Sequence, residues 1–454
     1  MEYPKCDFII CNSSSSQEHG SEINNLLDDP LCNPEHPIKV TFEDVTSAAY
    51  KIKSGIKNTP CEKSHISQLT GMNIFLKKDF LQHTGSFKER GARYALLMLD
   101  EQERKKGVIA ASLGNHAQAV CYHGHQLNIP VTVVMPIIAP IMKIQKCREY
   151  NANVVIEGQN MFEAKQKAYE LSKERGLKYI NGYDHPHIIA GQGTLALEIL
   201  EQVPDIDAIV VPTGGGGLLA GISVAVKTLN PRIKIIGVES ERCASYSQAM
   251  ANGKPIYTPI EGTLADGLAV PEVGYNAWET SKDLVDKMIV VNEEWVALAI
   301  LRFLENEKCV VEGAGACGLA AILCGEMDEF KGKRVVLILS GGNIDTTILG
   351  RCLDRGLAAD GRLVKCRVTV SDRPGGIAEL CKLVCSIGVS IKDIIHERAW
   401  VTSDVFSVEV IVVCETRDYT HSVELHNLLQ EKYKNFVFEN FPAHPRSLST
   451  SHSF

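Results

Sequence analysis

Six short runs between Val108 and Leu339 constrain the fold more than any other feature of this sequence. Val108-Ile-Ala-Ala, Val131-Thr-Val-Val, Asn153-Val-Val-Ile, Ala208-Ile-Val-Val, Ile235-Ile-Gly-Val and Val335-Val-Leu-Ile-Leu are apolar at nearly every position. A strand that alternates has one wet face. A strand apolar throughout is covered on both faces, as in parallel sheets with helical crossovers. Gln118–Leu127, Met161–Arg175 and Gly193–Glu201 supply such helices between the runs. Upstream, Thr41 is placed to cap a helix through Tyr50, with Glu43 and Asp44 in its positive first turn. Residues 41–355 therefore read as α/β, with two sheet-centred lobes around a cleft.

The texture changes near Leu363. Val364, Cys366, Val368 and Val370 alternate with polar residues, which suits a half-exposed strand. Asp372-Arg-Pro-Gly-Gly turns the chain, and Ile377, Leu380, Val384 and Ile387 then follow helical spacing. Strand-like runs at Ser390–Arg398 and Phe406–Val413, a helix at Tyr419–Lys432 and a last strand at Phe436–Phe438 complete the order β-α-β-β-α-β. That order is ferredoxin-like and carries no catalytic constellation. We expect this domain over residues 363–440, a helix end and linker at Arg351–Gly361, a flexible tail over 441–454 and a poorly ordered lead-in over 1–40. The lead-in holds a Ser13–Ser16 run and three prolines between Pro30 and Pro37.

Composition narrows the function. With 47 basic against 55 acidic residues, a net charge of −8 argues against a nucleic-acid partner. The uncharged run Ala208–Val226 is broken by Pro212 and four glycines, so no membrane span is expected. The apolar patch Phe8–Cys11 lacks a basic flank, and no secretory signal is expected. The 15 cysteines are scattered from Cys6 to Cys414 without a CxxC pair. They read as reduced, partly buried residues of a cytoplasmic protein rather than a disulfide framework.

Four segments carry the chemistry. In His83-Thr-Gly-Ser-Phe-Lys-Glu-Arg-Gly-Ala92, Lys88 sits where a Gly-Ser turn opens a helix. Carbonyl cofactors need such an amine to form a Schiff base, although most lysines are merely solvated. Ser112-Leu-Gly-Asn-His-Ala-Gln118 follows a strand and opens a helix, whose free N–H groups suit a carboxylate. Gly214-Gly-Gly-Gly217 also lies between strand and helix and lets backbone N–H groups curl around a phosphate. It has neither a following Gly-Lys-Ser/Thr nor the dinucleotide spacing. Ser340-Gly-Gly-Asn343 ends the last apolar run, where parallel α/β folds place ligands.

Together these segments resemble the fold-type II pyridoxal-5′-phosphate enzymes, in the threonine/serine dehydratase and serine racemase branch. Ile189-Ala-Gly-Gln-Gly-Thr194, Leu264-Ala-Asp-Gly267 and Val311-Glu312…Ala314-Gly-Ala316 extend the likeness over most of 41–350. The tail resembles an ACT regulatory domain. The resemblance implies a two-lobed, tryptophan synthase β-like fold with a C-terminal ACT domain, as in threonine ammonia-lyases. It implies that Lys88 holds pyridoxal 5′-phosphate, with Phe87 against its ring and Gly214, Gly215, Gly216 and Gly217 around its phosphate. Ser340 would face the pyridine nitrogen and Asn115 the ring's 3′-oxygen. Ser112, Asn115 and His116 would hold the carboxylate of a small amino-acid substrate. Glu239 matches one carboxylate of the family's divalent-cation site, but Ser245 stands where a second acid is expected. The implied reaction is β-elimination of water from L-threonine or L-serine, in a homo-oligomer where a small-molecule effector or another subunit's tail meets the turn Asp372–Ile377.

Two positions separate this branch from its siblings. Racemases of the family place a serine immediately before the Gly-Asn pair, and Leu113 at that position cannot move a proton. Tyr183 stands where dehydratases tend to carry an aromatic residue. His116 after Gly-Asn counts against a β-replacement enzyme of the sulfur branch. A catalytically silent amino-acid sensor is the alternative of another class, and the intact Lys88 argues against it. Gly313 replaces the proline common after Glu312.

Overall fold

The computed structural model describes residue 29, residues 31–399 and residues 405–439 of the 454-residue chain. Fourteen strands form three sheets among the described residues. Strands β3 (Val108–Ala111), β4 (Val131–Met135), β5 (Asn153–Ile156) and β6 (Lys178–Tyr179) make a parallel sheet in the order β5-β4-β3-β6. The larger sheet takes β1 (Cys61–Lys63), β2 (Asn73–Lys77), β7 (Ala208–Pro212), β8 (Lys234–Ser240), β9 (Lys287–Val291) and β10 (Arg334–Ile338). Its order is β1-β2-β10-β7-β8-β9, parallel except for β1. All six apolar runs are strands, and β7 is buried along its whole length, as double-sided coverage requires.

The third sheet is antiparallel, in the order β12-β13-β11-β14, from β11 (Leu363–Ser371), β12 (Ser390–Glu397), β13 (Ser407–Glu415) and β14 (Phe436–Glu439). Alternation of Val364, Cys366, Val368 and Val370 puts all four on the buried face, against Leu380 and Val384 of the helix Gly376–Ser386. This is the ferredoxin-like arrangement.

Several boundaries differ from expectation for identifiable reasons. The helix Pro186–Gln202 starts seven residues before the expected Gly193. Its proline occupies the first turn, where no N–H partner is lost. Its interior glycines are sites of close approach: a Cβ on Gly191 would lie 2.6 Å from the Gly91 Cα, and one on Gly193 would lie 2.7 Å from the Gly221 carbonyl oxygen. Of the helix end and linker expected at 351–361, the helix Thr346–Ala359 takes the larger share, because Cys352 and Gly356 are buried, with Gly356 tight against the Ala297 carbonyl. Strand β2 was not foreseen, since Lys77 disguises it as surface. The amine of Lys77 is buried, 2.6 Å from Glu198.

The expected disorder of residues 1–40 does not extend to 31–40. There Asn276 accepts the Ile38 N–H at 2.6 Å and donates to the Leu31 carbonyl at 2.6 Å, and Thr280 accepts from Val40. Residues 1–28, residue 30 and the expected tail at 441–454 lie outside the described residues. Among the described residues no helix is long and apolar enough to cross a membrane.

Candidate active site

Lys88 is the first residue of the helix Lys88–Leu97, and the two residues after it clamp that helix in place. Arg90 is fully buried and bridges Asp79 (2.7 Å) and Glu198 (2.6 Å). Two carboxylates around one planar fork satisfy a guanidinium that burial alone would make costly. Glu89 accepts the Thr84 N–H and bonds His123 Nε2 at 3.2 Å. The turn before the helix is stitched to the end of β10: Phe87 N–H donates to the Ser340 carbonyl at 2.9 Å and Gly342 N–H to the Gly85 carbonyl at 3.0 Å. Gly85 holds φ +75°, a conformation that glycine adopts without strain.

With its helix fixed, Lys88 extends into a buried space and donates to the Gly182 carbonyl at 2.7 Å, 5.2 Å from the Phe87 ring centre. Burial lowers its amine from 10.5 to about 8, and the facing Glu312 carboxylate opposes part of that drop. Glu312 caps the helix Gly313–Leu323 position-wise and is itself pushed to about 7, first by burial and then by Asp266. Asn115 Nδ2 donates to Glu312 Oε1 at 2.7 Å, and Asn115 Oδ1 accepts from Asn343 at 2.9 Å. Ser340 is buried beside Gly341, whose missing Cβ would lie 2.2 Å from the Glu312 oxygen. Gly341 of Ser340-Gly-Gly-Asn343 thus makes room for a carboxylate, and Gly342 for the Val310 carbonyl.

The tetraglycine segment opens the helix Gly217–Leu229, with Gly216 at φ +89°. Cβ atoms on Gly215 and Gly217 would lie 2.3 Å from the Tyr183 ring and 2.2 Å from its carbonyl oxygen. The loop that carries Gly182, the partner of Lys88, is therefore pressed directly against these glycines. The N–H groups of Gly214, Gly215 and Gly216 have no acceptor among the described residues. Unpaired donors at the positive end of a helix fit a phosphate, and a buried lysine with a lowered pKa fits a cofactor aldehyde. The residues present therefore fit pyridoxal 5′-phosphate.

On the opposite lobe, the helix Asn115–Leu127 begins three residues before the expected Gln118, which puts Asn115 and His116 in its first turn. Gly114 provides no side-chain cap, so the first-turn N–H groups are available, and the Ser112 hydroxyl accepts the Gly114 N–H at 3.3 Å. His116 differs from expectation. Its ring is buried with Nε2 3.0 Å from the Ile180 carbonyl, and burial lowers it to about 4. A neutral imidazole whose N–H is committed to a carbonyl offers no side-chain donor to a carboxylate, which leaves the His116 backbone N–H.

Glu239 also departs from expectation. It accepts from Tyr246 N–H (2.7 Å), Ser247 N–H (2.8 Å) and the Ser247 hydroxyl (2.7 Å), which caps the helix Ser245–Asn252. Its carboxyl is pushed to about 7 by burial. Among the described residues no group of three or more His, Cys, Asp or Glu could hold a metal ion, and the Glu239 carboxylate is committed to that helix. The position of Gly313 is explained: a Cβ there would lie 2.1 Å from the Leu264 carbonyl oxygen. Sequence reasoning assigned no role to Glu312, Glu89, Gly182 or the Asp79–Arg90–Glu198 cluster. Glu312, Glu89 and Arg90 lay in quoted motifs, whereas Asp79, Gly182 and Glu198 did not.

The model of the family described as pyridoxal-phosphate dependent enzyme matches residues 52–341. The chain is 42% identical over 394 residues to an L-threonine ammonia-lyase of Thermotoga maritima, covering 87% of this chain and 98% of that protein. An L-threonine ammonia-lyase of Geobacter sulfurreducens is 40% identical over 387 residues, 85% of this chain and 96% of that one. Among solved structures, the processed form of threonine deaminase isoform 2 from Solanum lycopersicum superimposes with TM-score 0.65 at 34% identity, covering 70% of this chain and 95% of that chain. Maize serine racemase gives TM-score 0.66 at 34% identity, over 70% and 98%.

Proposed function

Since the chain belongs to the pyridoxal-phosphate dependent enzyme family, we propose that it is an ammonia-lyase that converts L-threonine to 2-oxobutanoate, and L-serine to pyruvate, with release of ammonia. The observation that carries this reading is the identity to the Thermotoga L-threonine ammonia-lyase over 98% of that protein's length.

The residues of this chain have distinct tasks. Gly214–Gly217 offer N–H groups to the cofactor phosphate, Ser340 a neutral hydroxyl to the pyridine nitrogen, and Asn115 an amide to the ring oxygen. Bound pyridoxal 5′-phosphate supplies the electron sink that stabilises negative charge at the substrate α-carbon. Lys88 anchors the cofactor and moves the α-proton. An amine at about 8 is available as free base near neutral pH far more often than an ordinary lysine. Asn115 is aimed by Glu312 and Asn343 rather than left to rotate. Ser112 and the first-turn N–H groups of Asn115–Leu127 receive the substrate carboxylate. Leu113 offers no group that could reprotonate the opposite face, which favours elimination over racemisation.

The tail is read as an ACT domain that regulates the enzyme and pairs chains into a homo-oligomer. The match to the Thermotoga protein, at 394 residues, necessarily runs beyond residues 52–341. Its effector turn would be Asp372–Ile377, where Asp372 pairs with Arg398 at 2.8 Å. Thirteen described cysteines are free thiols, which fits a cytoplasmic location. The test is ammonia-lyase kinetics on L-threonine and L-serine, with chiral analysis of unconverted serine. Lys88→Ala should abolish 2-oxo acid formation, and full turnover by that variant would end the assignment.

A further inference from the structure

One helix of the catalytic core ends in a conformation that its neighbours must sustain. Glu293–Arg302 continues as a single π turn, Phe303–Glu307, closed by the Lys308 N–H on the Phe303 carbonyl. A π turn carries one residue more per hydrogen-bonded ring than an α turn, is rare overall and is concentrated at functional sites. Lys308 then takes a left-handed conformation, φ +56°, which a non-glycine residue holds only where the surroundings impose it. Glu312 follows five residues after Glu307. The stretch between them is pinned to the site at its far end, where the Glu312 N–H donates to the Gly341 carbonyl at 3.0 Å. Its near end is set by the π turn.

A closed ring of four charges surrounds this turn. Arg302, just before it, pairs with Glu305 inside it at 3.0 Å and also with Asp360. Arg362 pairs with the same Glu305 at 2.6 Å and with the same Asp360 at 2.7 Å. Each charge has two opposite neighbours, and the most exposed of the four, Glu305, shows 33% of its side-chain surface. Such a network holds a geometry that isolated surface pairs do not. Two members belong to the catalytic core, and two belong to the segment that enters the ferredoxin-like tail. Gly361, between Asp360 and Arg362, accepts at its carbonyl from the Thr416 hydroxyl at 2.9 Å and from the Ser422 hydroxyl. The Arg362 carbonyl accepts the Thr416 N–H at 2.9 Å. Thr416 and Ser422 are both buried in the tail, whose first strand begins at Leu363. On the other side of the turn, Glu307 accepts from the Ser64 hydroxyl at 2.5 Å and from the Ile66 N–H at 3.3 Å. The tail thus grips the entrance of the π turn while the core holds its exit.

We propose that Arg302, Glu305, Asp360 and Arg362 are positioning residues for Glu312: through this ring the tail holds the π turn open and sets where the Glu312 carboxylate meets Asn115. With the ring broken, nothing in the neighbourhood favours the wide turn over ordinary α-helical spacing. The turn then tightens, and residues 308–312 are displaced with it. Asn115, whose amide donates to Glu312 at 2.7 Å, loses the partner that aims it. The inference rests on the ammonia-lyase reading for its kinetic readout alone.

The test uses full-length protein saturated with pyridoxal 5′-phosphate and two readouts: kinetics on L-threonine, and circular dichroism in the absorption band of the bound cofactor. Arg302→Gln cuts the ring on the core side and Asp360→Asn on the tail side. Each should lower kcat by about tenfold or more, change KM by less than roughly twofold, and alter the cofactor dichroism with far-ultraviolet dichroism preserved. The double variant should be no worse than either single one, because one break already opens the ring. Asp360→Glu keeps the charge and should keep most of the activity. Arg362→Lys keeps the charge but not the fork that reaches two carboxylates, and should lower kcat in the same way if the other variants do not fold. Lys392→Gln removes a tail-to-core ion pair outside the ring, to Asp354 at 2.8 Å, and should match wild type in both readouts. Additive losses in the double variant, wild-type behaviour of the single variants, a lower kcat with unchanged cofactor dichroism, or equal losses in Lys392→Gln would overturn the proposal. A wild type that binds the cofactor without converting threonine would refute the ammonia-lyase reading instead, and the dichroism of the same variants would still decide this one.

Discussion

Replacing Lys88 by methionine should make the cofactor-free protein more stable at neutral pH while removing its chemistry. Burial lowers the amine from 10.5 to about 8, and at about 1.4 kcal/mol per pH unit this is a penalty of roughly 3 kcal/mol. The sign follows from which state holds the proton. Between about 8 and 10.5 the unfolded chain keeps a proton that the folded chain has released, so wild-type stability rises with pH in that window. Below it the penalty is fully present. Methionine is similar in length and uncharged, so the variant lacks this slope. It also leaves the Gly182 carbonyl, 2.7 Å from the amine in the wild type, without its donor. That loss, about 1–3 kcal/mol, does not vary with pH. The informative quantity is therefore the trend and not the value at one pH. Urea denaturation of both proteins at about pH 7 and about pH 10 should show the variant's relative stability falling by roughly 2–3 kcal/mol. A difference that stays flat across that range would refute the claim that the amine is buried and poised near neutrality.

Two further substitutions probe the scaffold. Gly217→Ala places a Cβ 2.2 Å from the Tyr183 carbonyl oxygen, so the loop carrying Gly182 must retreat by about 1 Å, and such a misplacement costs on the order of 10²-fold in kcat/KM. Gly350→Ala, in a helix interior with nothing within 4 Å, should instead add about 0.5–1 kcal/mol of stability. Parallel effects of the two on kcat/KM and on thermal unfolding would remove the packing argument. Asp79→Ala leaves the fully buried Arg90 with Glu198 alone and should destabilise by about 3–5 kcal/mol. A shift in urea midpoint equivalent to less than about 1 kcal/mol would rank the pair with surface salt bridges.

The strands were legible because double-sided burial writes itself as unbroken apolar runs, as in Ala208–Pro212. The ferredoxin-like tail was legible for the opposite reason, since alternation from Val364 to Val370 states one wet face and one dry. What escaped was decided by tertiary contacts that a local pattern does not contain. Lys77 and Arg90 look like surface residues until Glu198, more than a hundred positions away, neutralises them in the interior. The motifs located Lys88 and the glycines, yet they did not say why four glycines are needed. The reasons are Tyr183, whose ring and carbonyl occupy the space of side chains at Gly215 and Gly217, the Leu268 backbone at Gly214, and a φ of +89° at Gly216. Likewise His116 sits in the expected turn, but its ring is turned to Ile180 by burial, and spacing along the chain has no bearing on that.

Lys88 and Glu312 show how enclosure tunes the site as a whole. Desolvation is the first cause for both, and it drives the base down to about 8 and the acid up to about 7. Groups that in water would be separated by roughly six pH units are thereby brought to within about one. Neither shift is written in the lysine or the glutamate. Both depend on the lobes staying together, and an ion pair crosses between them at Lys143 and Asp266, 3.5 Å apart. Asp266 also raises Glu312, and Lys143 lowers it. Separating the lobes would hydrate both groups and return each toward its ordinary value. The chemistry of the site is accordingly a property of the closed arrangement, and the buried clamp of Arg90 and Glu89 keeps Lys88 on its fixed side of that arrangement.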